Sequence, residues 1–125
     1  MNQNSDTLGS ILIAEDEPIN FMLLQKMLEK TNYDIIWAKN GEEAVEKAKT
    51  EKSIKLILMD IRMPKLGGIE ATQQIRQAGI DLPIYAVTAY TLSNEREKCS
   101  DAGANGFITK PVNPKELMEV VNSVS

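Results

Sequence analysis

The chain has 125 residues, 42% of them hydrophobic and 26% charged, which is the size and composition of one domain with one core. Its 14 basic and 18 acidic side chains leave a net charge of −4, with no electrostatic footprint for nucleic acid or an anionic membrane. One cysteine and no histidine exclude internal disulfides, cysteine zinc clusters, histidine-bound metals and every hydrolase built on a histidine base.

Residues 1–9 are polar and read as a lead or linker, which leaves 10–125 as the domain. A first buried strand is predicted at 10–14 and ends in the acidic turn Glu15-Asp16-Glu17. Pro18 then opens a helix on which Ile19, Met22, Leu23, Met27 and Leu28 are expected to form the core-facing stripe. A second strand at 34–38 carries Trp37, expected to be half-buried, and leads to a helix with Ala44, Val45 and Ala48 on its apolar face. Asn40 and Glu43 stand in the capping-box positions of that helix. The run at 55–59 is almost continuously apolar, as a strand covered on both faces should be, and Asp60 follows it.

Ile69, Thr72 and Ile75 mark a third helix, and a fourth strand is predicted at 83–87, followed by Thr88. The segment 92–102 contains Glu95-Arg96-Glu97-Lys98 and predicts a more exposed, thinly packed helix. Cys99 is expected to be a small packing residue within it, and Met22, Met27, Met59 and Met118 fit core positions. The last strand, 106–108, leads to Thr109-Lys110, and Asn113-Pro114 caps a final helix with Leu117, Val120, Val121 and Val124 in a stripe. Gly79 and Gly103 stand where helices should turn. Neither a run of about 20 apolar residues nor a basic-then-apolar leader is present.

Five strand–helix repeats with short connections predict an α/β, three-layer (βα)5 flavodoxin-like fold. Its parallel five-stranded sheet would run in the order 2-1-3-4-5 with helices on both faces. The fold fixes no function, but it places the carboxyl ends of the strands along one edge, where Glu15, Asp16, Asp60, Thr88 and Lys110 would meet. Three carboxylates crowded together destabilise one another unless a cation sits among them, and an all-oxygen set suits Mg2+. An aspartate, a metal, a hydroxyl donor and a fixed lysine charge are what phosphoryl transfer to a carboxylate needs. Each residue also has a plainer reading: Asp16 and Thr88 as helix caps, Asp60 as a loop acid, Lys110 as a solvated surface lysine. Their joint placement at successive strand ends outweighs these.

The pieces ILIAEDEP (11–18), LILMDIRMP (56–64), Gly68, VTAY (87–90) and GFITKP (106–111) resemble the receiver domain of bacterial two-component response regulators, in order and over nearly the whole chain. The resemblance implies that Asp60 is the phosphorylated residue, a 4-aspartylphosphate in the modified state. It implies that Glu15, Asp16, Asp60 and the backbone carbonyl of Arg62 hold Mg2+, and that Thr88 and Lys110 contact the phosphoryl group. Phe107 would be the switch aromatic that moves with Thr88, and the Lys110–Pro111 bond would be cis. Two departures stand out: Glu15 occupies a position where the family most often has aspartate, and Phe107 one where tyrosine is frequent. Arg62 and Tyr90 fall where the family tunes dephosphorylation.

The family takes its phosphoryl group from a phosphohistidine, which this chain cannot supply. The implied partner is a histidine kinase or histidine phosphotransfer domain, in trans or in a longer parent, with no nucleic acid and no membrane contact by the domain itself. Asn20 in DEPIN and the run GIEATQQIR resemble receivers of hybrid histidine kinases, and the polar lead favours such a fragment over a stand-alone regulator. A degenerate receiver acting only as an interaction module is the further alternative. The expected setting is cytoplasmic, with an inner-membrane anchor in a hybrid parent, and the expected state is a monomer or a phosphorylation-linked dimer. Competing classes fit poorly. An FMN binder would not place three acids in its phosphate loop, an aspartate-nucleophile phosphatase would want an acid at Arg62, and a nucleoside triphosphatase would need a glycine-lysine loop.

Overall fold

Five short strands run parallel because a helix crosses over between each successive pair. The computed structural model describes residues 7–89 and 93–124, the side chain of Ser93 excepted. Most of the expected lead, together with Tyr90 and Leu92, lies outside the described residues. The order is β1 (Gly9–Ala14), α1 (Pro18–Met27), β2 (Tyr33–Ala38), α2 (Gly41–Thr50), β3 (Ile54–Asp60), α3 (Gly68–Gln77), β4 (Ile84–Thr88), α4 (Ser93–Ala102), β5 (Gly106–Thr109) and α5 (Pro114–Ser123). The sheet runs β2-β1-β3-β4-β5, the order expected from the alternation. Strand β1 already includes Gly9, and β3, β4 and β5 each extend at their carboxyl ends beyond the expected runs.

Side chains alternate across the sheet and divide the core in two. Ile11, Ile13, Leu56 and Leu58 pack on one face with Leu24 of α1 and Leu117 and Val121 of α5. Leu12, Ile57 and Met59 pack on the other with Val45 of α2 and Ile75 of α3. Fully burying each of these aliphatic side chains contributes roughly 1.5–3 kcal/mol. A third, smaller cluster of Ile61, Ala86 and Cys99 lies under α4, where Cys99 and Ala102 are the buried side chains.

The helix ends follow local chemistry. Asn40 Oδ1 accepts from the Glu43 N–H at 2.9 Å, while Glu43 Oε1 reaches back one residue past the cap to the Lys39 N–H at 2.8 Å. Asn113 Oδ1 accepts from the Lys115 and Glu116 N–H groups. Gly79 and Gly103 take positive φ, +81° and +112°, at the turns after α3 and α4.

One expectation is overturned. On α1 the buried residues are Phe21, Leu24 and, just past its end, Leu28, whereas Ile19, Met22 and Leu23 are 72%, 60% and 54% exposed. The segment PINFMLLQKML holds two interleaved apolar stripes, and the sheet receives the one carrying the aromatic ring. Met22 therefore leaves the core positions, while Met59 is buried and Met27 and Met118 are half-buried.

Candidate functional site

Parallel pairing brings the strand ends to one edge. Ala14 of β1 stands beside Met59 of β3, and Asp60 beside Val87 of β4, so the residues that follow β1 and those that end β3 and β4 share a crevice at the reversal of strand order. Glu15, Asp60 and Thr88 are buried there and Asp16 is half-buried. One carboxylate oxygen from each of Glu15, Asp16 and Asp60 lies within 4.8 Å of the others. Lys110 reaches in from the turn after β5, its Nζ 3.3 Å from Glu15 Oε1 and 3.3 Å from Asp60 Oδ2. The Lys110–Pro111 bond is cis.

Main-chain donors orient the acids. The Glu17 N–H donates to Glu15 Oε2 at 3.2 Å and the Arg62 N–H to Asp60 Oδ1 at 3.3 Å. Burial, followed by the charge of Asp60, raises the Glu15 carboxyl above its ordinary value, against the opposing pull of the Glu17 N–H and Lys110. Burial alone would lower Lys110, but the charges of Asp60 and Glu15 outweigh it and hold the ammonium above its ordinary value.

The plainer readings fail on geometry. The cap of α1 is Glu17, with Pro18 in the first turn, and Asp16 is not the capping residue. Thr88 ends β4, and the residue after it is not helical, so Thr88 does not cap α4. Lys110 has only 25% of its side chain exposed.

Gly68 explains how α3 can begin against the site. Its N–H donates to Ile61 O at 2.9 Å, and a Cβ there would strike the Asp60 carbonyl oxygen. Gly41 meets the Leu66 carbonyl in the same way, which holds the β3–α3 loop against α2.

Three further contacts were not evident from the sequence. Trp37 Nε1 donates to the Glu15 carbonyl oxygen at 2.7 Å, behind the acidic turn. The guanidinium of Arg96 lies 4.1 Å from the ring centre of Phe107, which is half-buried against the small cluster under α4. Arg62 extends its side chain to Glu95 at 3.9 Å. The charge run on α4 was the available signal for the last two. Nothing in the sequence pointed to the first.

A buried, oxygen-only pocket of three acids fits a hard divalent cation, because like charges at this spacing need positive charge among them. A doubly wound sheet with such a pocket, a lysine and a threonine at its switch point defines a class of domains that take a phosphoryl group on a carboxylate. The response regulator receiver domain family matches residues 11–122, and the chain belongs to that family, the receiver domains of two-component signalling systems. It is 40% identical over 121 residues to hybrid signal transduction histidine kinase I of Dictyostelium discoideum, an alignment covering 90% of this chain and 7% of the relative. The receiver domain of a sensor histidine kinase from Pseudomonas aeruginosa, solved with magnesium in its active-site cleft, is 36% identical. It superposes with a TM-score of 0.84, covering 93% of this chain and 96% of that one. The receiver domain of Ssk1, solved in complex with the phosphotransfer protein Ypd1 of Saccharomyces cerevisiae, is 34% identical with a TM-score of 0.84, covering 94% and 90%. The chain spans from 7% to 47% of the length of the first curated relatives it matches. No helix among the described residues is long and apolar enough to cross a membrane.

Proposed function

We propose that Asp60 accepts a phosphoryl group from a phosphohistidine and that residues 10–125 form the unit that does so. The observation that carries this reading is the convergence of Lys110 Nζ on Asp60 and Glu15, at 3.3 Å each, beside the third acid, Asp16. An Asp60 carboxylate oxygen attacks phosphorus, the P–N bond breaks, and the electron pair leaves on the imidazole nitrogen of the donor. Lys110 offsets charge on the phosphoryl oxygens and the Thr88 hydroxyl donates to one of them, so this chain supplies positioning and charge more than proton transfer. Glu15, Asp16, Asp60 and the Arg62 carbonyl would hold Mg2+, which supplies Lewis-acid stabilisation of the same oxygens when bound. Movement of Thr88 and Phe107 then shifts a two-state equilibrium toward an altered face around α4, β5 and α5.

The donor in this reading is a histidine kinase or histidine phosphotransfer domain. Beside the acids a groove of about 420 Å³ opens, lined by Asn20, Leu23, Met27, Val112, Glu15 and Lys110. Leu23, which lines it, is 54% exposed, and Ile19, one turn earlier on α1, is 72% exposed. A phosphohistidine carried on a helix would bury that surface while presenting its phosphorus to Asp60. The likeness to receivers of hybrid kinases supports origin in such a kinase, acting on the cytoplasmic side, over a stand-alone regulator.

Intact mass after incubation with a small acyl phosphate and Mg2+, beside Asp60→Asn, tests the reading. One phosphoryl adduct, labile to hydroxylamine and lost in the variant, is expected. No adduct from either the acyl phosphate or a phosphorylated histidine phosphotransfer domain would leave an interaction module that no longer takes phosphate.

A further inference from the structure

Trp37 is the single tryptophan of the chain and stands one residue from the end of β2, paired with Ile13 of β1. Its indole N–H donates to the Glu15 carbonyl at 2.7 Å, and the next residue, Ala38, accepts the Glu15 N–H at 2.9 Å. Consecutive residues of β2 thus hold both polar groups of the Glu15 main chain. The Glu15 carbonyl and the Asp16 nitrogen belong to one planar peptide unit, so anchoring that oxygen fixes the plane from which the Asp16 side chain departs. The ring is itself held: Phe21 of α1 stacks on it at 4.2 Å with 6° between the planes, and Lys39 Nζ lies over it at 5.1 Å. A phenylalanine would fill much of the same space and could stack on Phe21, so packing alone does not require the indole nitrogen.

We infer that Trp37 is a positioning residue for the divalent-cation site, its N–H setting the Glu15–Asp16 peptide so that both carboxylates face Asp60. The inference rests on the cation reading of the acidic cluster. Residues that orient the ligands of a metal commonly change its affinity by about 10–100-fold when replaced.

In the 15N-labelled wild-type protein the single indole N–H gives one resonance. Added Mg2+ should shift it, saturating with the Kd that calorimetry gives. Trp37→Phe, which keeps an aromatic ring for the stack and loses the donor, is expected to weaken Mg2+ binding about tenfold. Trp37→Leu should be no more than about twofold worse again, since the donor is already gone. A wild-type Kd in Trp37→Phe with a loss confined to Trp37→Leu would assign the effect to packing and overturn the inference. So would an indole resonance indifferent to saturating Mg2+, a result that stands even if the variants fail to fold. A wild-type protein that binds no Mg2+ by calorimetry would remove the cation reading and this inference together. Binding by the wild type beside an unaffected Trp37→Phe would remove the inference alone.

Discussion

Glu15 and Lys110, 95 residues apart in the chain, meet at 3.3 Å, and the same ammonium stands 3.3 Å from Asp60. One cation from the turn after β5 thus offsets two buried acids from the ends of β1 and β3. Lys110→Ala should destabilise the metal-free protein by about 1–3 kcal/mol, because it leaves two buried carboxylates facing each other. Urea unfolding with chelator present measures this, and an unchanged midpoint would show that the pair is already relieved by solvent.

The raised Glu15 carboxyl gives a pH signature of defined sign. Burial and the Asp60 charge lift it above its ordinary value of 4.5, so the folded protein keeps a proton that the unfolded chain has already lost. That contribution to stability is full below about 4.5 and is lost as pH rises through the folded value. Glu15→Gln has no such proton. The variant should therefore gain stability relative to the wild type as pH increases across this window, then hold a constant difference above it. Unfolding curves from pH 4 to 7.5 without divalent cation would show it, and a difference that shrinks with pH would contradict the assignment.

Mg2+ should stabilise the folded chain. At ten times its Kd the gain is about 1.4 kcal/mol, visible as a rise in Tm that Asp16→Asn and Asp60→Asn diminish. Matched ionic strength without divalent cation should give no comparable rise.

The proposed docking of the donor along α1 can be tested apart from the chemistry. Replacing Ile19 and Leu23 together by glutamate should change stability by no more than about 1 kcal/mol, since both side chains are more than half exposed. Phosphotransfer from a phosphorylated histidine domain should fall tenfold or more, while the rate with a small acyl phosphate stays unchanged. Equal losses with both donors would place the damage in the site itself.

Gly68→Ala would force α3 away from the carbonyl of Asp60. A loss of roughly 1–3 kcal/mol is expected from this overpacking, together with slower phosphorylation, because the backbone that must yield is the one carrying Asp60. Wild-type rates in a destabilised variant would show that the end of β3 stays in place while α3 moves.

Much of this was legible in the sequence, and the reasons are physical. Asp60 and Thr88 could be brought together on paper because a parallel sheet with right-handed crossovers leaves its strand ends no other place to go. The face of α1 was not legible, because Ile19, Met22 and Leu23 carry as much apolar character as Phe21 and Leu24, and helical spacing alone does not choose between overlapping stripes. The bond from Trp37 to Glu15 was beyond sequence reasoning altogether. It depends on the register of β1 with β2 and on a ring from α1 arriving at stacking distance, three placements that no local pattern encodes. Glu43 reaching Lys39 where a capping box would reach Asn40 is a smaller case.

On α4 the small side chains of Cys99 and Ala102 are buried, while Asn94, Glu97, Lys98, Ser100 and Asp101 are exposed. Those five positions owe little to the interior. Their identity can drift without touching the acids of the site. In the proposed mechanism, the donor's surface on α1 and the output surface on α4 can then diversify separately around an unchanged centre.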